Sequence, residues 1–398
     1  MLKPIATATR DLVKLDGVWK FGIDSRLPEE PWLAALDTPL EAAVPASYND
    51  LFTDPAIRDH VGWVYYQRSV QVPRGWAGER ILLRFDAATH SAKVYVDDRL
   101  VGGHVGGYTP FDIDVTEVVK PGTAFRLTVA VSPDLTNTTI PPGKIEVGMT
   151  GAKTQTYFHD FYNYAGLARS VSLYSLPQVH VDDVTVVTTF EGTTGLVDYR
   201  VETVGGAHVR VSLADAAGSV VATSSGPEGR LEIADVVLWK PGAAYLYELT
   251  VEAVDGEDVL DTYSLAVGVR TVAVRGEEFL VNGEPFYFTG FGKHEDTFVR
   301  GKGHDDAYMV HDFQLMEWTG ANSFRTSHYP YAEDVLDFAD RHGILVIDET
   351  AAVGLNMGVV GGLSGTPPFP TFSEQYAGAE TQAAVSYTHL TLPTTPYV

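Results

Sequence analysis

The sequence contains no cysteine, and this absence excludes several kinds of site at once. Disulfides, zinc sites built on thiolates and cysteine nucleophiles all require that residue. The chain also lacks an apolar run of membrane-spanning length, and residues 1–7 lack the apolar core of a signal peptide. We therefore expect a soluble cytoplasmic protein with no membrane partner.

Positive charge is scarce. The sequence has 28 lysine and arginine residues against 52 aspartate and glutamate residues, which gives a formal net charge of −24. Nucleic-acid binding needs a clustered basic surface, so we expect no nucleic-acid partner. Hydrophobic residues make up 45% of the 398 residues, which is enough for folded domains, and this length predicts two or three of them.

Two β patterns fill the first 274 residues. Short runs rich in β-branched and aromatic residues, such as 64–72, 80–85 and 125–131, predict a jelly-roll-like β-sandwich over residues 1–178. Strands of stricter alternation, separated by glycine-rich turns, predict a smaller immunoglobulin-like β-sandwich over residues 179–274.

After residue 274 the pattern changes to strands that alternate with helices. The apolar run 286–291 predicts a strand buried on both faces, and residues 306–319 predict an amphipathic helix. A strand around Ser323, a helix around Val335 and a strand over 344–347 follow. Such alternation predicts parallel pairing with right-handed crossovers. We therefore assign residues 275–380 to the first part of a (β/α)8 barrel, with three strands of the eight that close such a barrel.

Polar side chains follow each of these three strands. His294 and Glu295 follow the first, Arg325 and His328 end the second, and Glu349 closely follows the third. In a barrel of parallel strands, the carboxyl ends form the active-site face. The pattern therefore predicts that these side chains line one pocket.

The segments that carry these residues resemble glycoside hydrolase family 2. The resemblance rests on 322–330 and 344–349, where the sequence reads NSFRTSHYP and ILVIDE, and on 158–166, where it reads FHDFYNYAG. Within the family, 288–296 (FTGFGKHED) is similar to the β-glucuronidases. The resemblance implies an enzyme that hydrolyses β-D-glucuronides with retention of configuration. It also implies a small-molecule glucuronide or other glycoside as partner, no metal, no cofactor and a homo-oligomer.

Retention requires two carboxyl groups about 5–5.5 Å apart, one acting as acid and one as nucleophile. The resemblance implies that the acid comes from an Asn-Glu-Pro segment after the fourth barrel strand, and the nucleophile from a glutamate after the seventh. No Asn-Glu-Pro occurs here, since residues 282–285 read NGEP and precede the first barrel strand. Asp348 and Glu349 are neighbours, so their side chains should diverge. We assign no catalytic residue and expect the 398-residue chain to be inactive alone.

Six residues are candidates for substrate binding: Asp160, His294, Glu295, Arg325, His328 and Glu349. Asp160 lies among aromatic residues in the first sandwich, which suits a sugar because rings pack on its faces while a carboxylate accepts from its hydroxyls. The resemblance implies that Asp160 reaches into the barrel pocket. Alternatives stay open: His328 as a structural histidine, Arg325 as a partner of Asp348 or Glu349, and Phe161 with Tyr164 as an inter-domain plug.

Two further interpretations concern the C-terminal residues and the identity of the substrate. Residues 381–398 lack any barrel-like pattern, and we interpret them as a non-native tail. The resemblance places the residues that hold the sugar carboxylate beyond residue 398. Another family 2 activity, such as that of a β-galactosidase, and a non-catalytic carbohydrate-binding fragment therefore remain alternative functions.

Overall fold

The computed structural model describes residues 1–136, 139–157 and 159–351. Within these ranges, two β-sandwiches precede a segment of parallel strands and helices, which confirms the predicted fold class. The interpreted tail, 381–398, lies outside the described residues, as do residues 352–380 of the assigned barrel part.

The first sandwich is built from antiparallel strands in two main sheets. One has the order β3-β2-β4-β9-β6-β7, the other has the order β1-β12-β5-β8, and β10 and β11 form a separate hairpin. The elements are β1 (Leu12–Lys14), β2 (Gly17–Ile23), β3 (Glu41–Val44), α1 (Pro55–Arg58), β4 (Val64–Gln71), β5 (Arg80–Phe85), β6 (Ser91–Val96), β7 (Arg99–Val105), β8 (Phe111–Asp114), β9 (Ala124–Ser132), β10 (Gly143–Val147), β11 (Lys153–Tyr157) and β12 (Val171–Leu176).

The core of the first sandwich lies between its two main sheets. Every second residue of β5, namely Ile81, Leu83 and Phe85, is buried there. Trp19 and Phe21 enter the same core from the facing sheet. Residues at this spacing share one face of a strand, so the strand geometry places them together.

The second sandwich pairs a three-stranded sheet, of order β13-β14-β17, with a four-stranded sheet, of order β16-β15-β18-β19. In β15, Val209, Val211 and Leu213 are buried while Arg210 points to solvent, which is the alternation that the sequence predicted. The strands are β13 (His180–Glu191), β14 (Thr194–Val204), β15 (His208–Ala214), β16 (Val220–Ser225), β17 (Glu228–Ile233), β18 (Tyr247–Asp255) and β19 (Asp258–Val267).

The third part begins with the small sheet β20-β21-β22 and continues as a parallel sheet, β23-β24-β25, with helices between its strands. No helix among the described residues has both the length and the apolar character to cross a membrane. The elements are β20 (Val272–Arg275), β21 (Glu278–Val281), β22 (Glu284–Pro285), β23 (Gly290–Lys293), α2 (Asp306–Thr319), β24 (Ser323–Thr326), α3 (Glu333–His342) and β25 (Leu345–Ile347).

Capping residues mark the start of α2 and the ends of both long helices. The side chain of Asp305 accepts hydrogen bonds from the first backbone N–H groups of α2, at 2.9 and 3.1 Å. Gly320 and Gly343 terminate α2 and α3 with φ of 75° and 67°, a conformation that glycine adopts without a steric penalty. Phe313 and Met316 form the buried face of α2.

The prediction for residues 286–291 was wrong. Strand β23 begins only at Gly290, and its residue Phe291 is exposed. Phe286 and Phe288 lie outside the sheet and pack together with Phe279, with ring centroids 4.8–6.3 Å apart. A run of apolar residues satisfies a local aromatic cluster as well as a buried strand, so hydrophobicity alone could not separate the two.

Contacts with both sandwiches fix the position of α3. Nε1 of Trp239, in the second sandwich, donates to the carbonyl of Asp340 at 2.8 Å. Arg84, buried in the first sandwich, donates to Glu333 at 3.0 Å. The parallel sheet therefore has a defined orientation relative to the loops of the first sandwich.

Candidate functional site

The register of the parallel sheet brings the ends of its three strands together. Lys293 of β23 lies opposite Thr326 of β24, and Arg325 lies opposite Ile347 of β25. The residues that follow these positions therefore share one edge of the sheet, which is the edge that the sequence predicted to be functional.

Arg325 and Glu349 form an ion pair at this edge, which is one of the two partnerships considered for that arginine. The hydroxyl of the neighbouring Thr326 donates to Asp348 at 2.8 Å and accepts from the backbone N–H of Glu349 at 2.9 Å. Burial raises the pKa of Asp348, and its bonds to Thr326 and to the N–H of Glu349 oppose that rise. The two carboxylates thus have separate partners.

His328 lies between acidic groups from two domains. Its Nδ1 is 3.7 Å from Oε2 of Glu349, and its Nε2 is 3.8 Å from Oδ1 of Asp160. Both separations are longer than a hydrogen-bond distance. Burial lowers the pKa of His328, with His294 and Arg325 acting in the same direction and the two carboxylates opposing, so the environment favours the neutral ring. The His294 ring approaches edge-on, with centroids 5.2 Å apart.

The first sandwich contributes a wall of the site through the loop that follows β11. Asp160 is 84% exposed there. The Phe161 ring stacks on His328, with centroids 5.4 Å apart and planes at 9°, and meets Tyr329 edge-on at 5.7 Å. Tyr164 instead donates to Asp50 at 2.9 Å, within the first sandwich.

Glu295 has a different environment from the other five candidates. Its Oε1 lies 3.9 Å from Nη2 of the buried Arg169. That guanidinium also donates to the carbonyls of Tyr108 and Pro330, and so joins the first sandwich to the loop after β24. The structure therefore gathers Asp160, His294, Arg325, His328 and Glu349 at the sheet edge and places Glu295 beside Arg169.

Two buried bases near the site were missed in the sequence. Burial lowers the pKa of Lys302 to about 7 and that of His159 to about 3. A sequence shows neither burial nor the domain against which a loop packs. One indication of the burial of Lys302 is visible in the sequence: it lies between two glycines, and glycine lets the backbone approach neighbouring residues closely.

The arrangement suits a polyhydroxylated ligand. Asp160 offers an exposed acceptor, neutral His328 offers both a donor and an acceptor, and Phe161 and Tyr329 border them with aromatic rings. Among the described residues, no three histidine, aspartate or glutamate side chains come close enough together to hold a metal ion.

Three models of one family match the chain in succession. The sugar binding domain of glycosyl hydrolases family 2 matches residues 12–177, a further family 2 domain matches residues 179–270, and the family's TIM barrel domain matches residues 272–388. These matches follow the order of the two sandwiches and the parallel sheet.

Relatives and solved structures give the same result. A β-glucuronidase of Paenibacillus borealis is 48% identical over 364 residues, covering 89% of this chain and 61% of the relative. One of Mus musculus is 43% identical, covering 89% of this chain and 59% of the relative. The chain thus spans about three fifths of the length of these relatives. The structure of a Ruminococcus gnavus β-glucuronidase in complex with D-glucaro-d-lactam superimposes with a TM-score of 0.90 at 37% identity, covering 99% of this chain and 67% of that one. The chain therefore belongs to family 2 of the glycosyl hydrolases.

Proposed function

We propose that this chain forms the sugar-recognition part of a β-glucuronidase, which hydrolyses β-D-glucuronides with retention once the remaining barrel strands are joined to it. The observation that carries the proposal is the convergence of Asp160 and His328, from different domains, at the carboxyl edge of the parallel sheet. The β-glucuronidase relatives support the choice of substrate class.

The contacts of the site support recognition of a sugar ring. A hydroxyl placed between Asp160 and His328 can donate its hydrogen to the carboxylate and accept a hydrogen bond from the N–H of Nε2, since the 3.8 Å separation leaves both groups without a hydrogen bond to each other. Phe161 and Tyr329 limit the directions from which a ring can enter. These groups bind and orient a sugar and break no bond.

Bond cleavage needs a different pair of groups. Two carboxyl groups must face each other about 5–5.5 Å apart across the glycosidic bond. Asp348 is held by Thr326 and Glu349 by Arg325, so each already has its own partner. The resemblance assigns the acid and the nucleophile to barrel strands beyond β25, and we propose that the substrate glucuronide is cleaved there. A homo-oligomer remains part of the same proposal.

A chimera tests the activity. Residues 1–350 of this chain, continued by the corresponding remainder of the Paenibacillus borealis relative, should release nitrophenol from 4-nitrophenyl β-D-glucuronide. The 398-residue chain is the comparison, with no turnover expected. A folded chimera that does not cleave the glucuronide would contradict the proposal.

A further inference from the structure

The loop between β23 and α2 carries a lysine into the interface between the first sandwich and the parallel sheet. Lys302 is 4% exposed. A Cβ added to Gly301 would lie 2.5 Å from the ring of Tyr164, and one added to Gly303 would lie 2.5 Å from Cα of Ala46. The two glycines therefore let the loop press against the sandwich, which buries the side chain between them.

Two aromatic rings surround the ammonium group of this lysine. Nζ lies 4.0 Å from the ring centroid of Tyr108 and 5.5 Å from that of Tyr329. The rings stack on each other with centroids 4.2 Å apart. Within the described residues, Nζ has no hydrogen-bond partner. Ring faces attract a cation, but they replace only part of the hydration that an ammonium group loses on burial.

The rings that cover Lys302 also connect it to the site. Tyr108 belongs to the first sandwich, whereas Tyr329 directly follows His328 in the loop after β24. In this loop the backbone N–H of Ser327 donates to the carbonyls of Arg325 at 2.9 Å and of Lys293, in β23, at 3.1 Å, and the N–H of Tyr329 donates to the carbonyl of Thr326 at 3.1 Å. Movement of the loop away from Tyr108 would therefore admit water to Nζ and displace His328 from Asp160.

Charged groups on the neighbouring elements influence the pKa of Lys302. Burial lowers its pKa to about 7 from an ordinary value of 10.5; Glu295 and Asp296 oppose that shift, and Arg169 adds to it. Burial lowers the pKa of His159, in the loop after β11, and the Lys302 cation adds to that lowering. Burial holds the pKa of Tyr329 well above its usual range, so that phenol stays neutral throughout.

We propose that Lys302 is a positioning residue whose protonation state sets how tightly the loop carrying His328 closes on the first sandwich. The closed loop disfavours the ammonium form, whereas the open loop solvates it. Between about pH 7 and about pH 10.5, the open state therefore binds one more proton than the closed state, and closure strengthens as pH rises. The consequence for sugar binding rests on the proposed function, but the closure of the loop does not.

Hydrogen exchange of the sugar-free 398-residue chain tests this inference. The protection of the Ser327 and Tyr329 amides, corrected for the intrinsic exchange rate, should rise up to about tenfold per pH unit between about pH 7.5 and about pH 9.5. Lys302→Met has a side chain of similar length without the charge, so its protection should be high and independent of pH. Lys302→Arg stays charged, so its protection should be low and equally independent of pH.

Lys293→Met is the matched control, because Nζ of Lys293 is near the same loop but is paired with Asp312 at 2.8 Å. This variant should keep the slope of the natural chain. Protection that does not change with pH in the natural chain, or a slope that survives in Lys302→Met, would overturn the inference. If Lys302→Met fails to fold, carbon-13 titration of the Lys302 side chain decides: a midpoint near pH 7 is expected, and one above about pH 10 refutes the account.

Discussion

Nε2 of His328 lies 3.8 Å from Oδ1 of Asp160, although the two side chains belong to different domains. Phe161, the residue after Asp160, stacks on the His328 ring and fixes this approach. Arg169 bridges the same two domains through the carbonyls of Tyr108 and Pro330. The approach of Asp160 to His328 therefore exists only while the first sandwich is docked on the parallel sheet.

Replacement of Asp160 should change the titration of His328. The carboxylate raises the pKa of that histidine against the lowering caused by burial, so Asp160→Asn should lower the pKa further. Proton–carbon NMR of the His328 ring measures this value. Asp59→Asn is the control, since Asp59 is exposed in the same sandwich and pairs with Arg58. An unchanged or raised pKa in Asp160→Asn would contradict the geometry.

Replacement of Arg325 should have the opposite effect. The guanidinium lowers the pKa of His328, and its loss also frees Glu349 from its ion pair, 3.7 Å from Nδ1. Arg325→Met should therefore raise the pKa of His328 in the same NMR titration. Arg230→Met, which breaks an exposed pair with Asp198, should leave it unchanged. A fall in Arg325→Met would mean that Glu349 does not face His328.

The contact between Arg10 and Asp261 should contribute strongly to stability. Both side chains are buried, and Nε of Arg10 donates to Oδ1 of Asp261 at 3.0 Å. Asp261→Asn leaves a buried guanidinium unpaired and should cost about 3–5 kcal/mol in the free energy of unfolding, measured by urea denaturation. Asp198→Asn, at an exposed pair, should cost about 0–1 kcal/mol. Similar losses in the two variants would refute the role of burial.

The stability supplied by Asp261 should also depend on pH. Burial raises the pKa of this carboxyl, but the bonds from Arg10 and from the N–H of Val181 outweigh it, and the folded-state pKa is lowered. The contribution is present above the unfolded value, about 4, and is lost as pH falls through the folded value. The gap between the natural chain and Asp261→Asn should therefore narrow below about pH 4.

Protonation of His104 should weaken the fold in mild acid. Burial lowers the pKa of His104 to about 4, with His90 adding to the effect and a bond with the backbone of Gly106 opposing it. The unfolded chain binds a proton near pH 6.5, so between the two values acid favours unfolding by up to about 1.4 kcal/mol per pH unit. His104→Gln should flatten this slope in denaturation curves, and His208→Gln, at an exposed position, should not. An equal slope in His104→Gln would contradict the assignment.

Elements whose ends are marked by capping residues were predictable from the sequence. Helix α2 spans Asp306–Thr319 as expected, because Asp305 caps its start and Gly320 ends it. Strand β23 was misplaced, because the aromatic residues before it pack on Phe279 rather than on a second sheet face. Local chemistry therefore fixed helix ends, whereas the partners of an apolar run were set by tertiary packing.

Only the part of the candidate site that lies on the parallel sheet was predictable from the residues themselves. His294, His328 and Glu349 follow parallel strands, so periodicity alone placed them at one edge. The position of Asp160 came only from the resemblance, since nothing local shows which domain a loop meets. Lys302 and Arg169 escaped notice because the burial of a charged residue depends on contacts between domains.

The most direct test of the account is kcat/KM for 4-nitrophenyl β-D-glucuronide in the chimera, with and without Asp160→Asn. Loss of a hydrogen bond to a charged group is worth about 1.5–3 kcal/mol, so the substitution should lower kcat/KM about 10- to 150-fold, while Asp59→Asn changes it little. If Asp160→Asn stayed within about twofold of Asp59→Asn, Asp160 would not contact the sugar, and the two-domain site would be wrong.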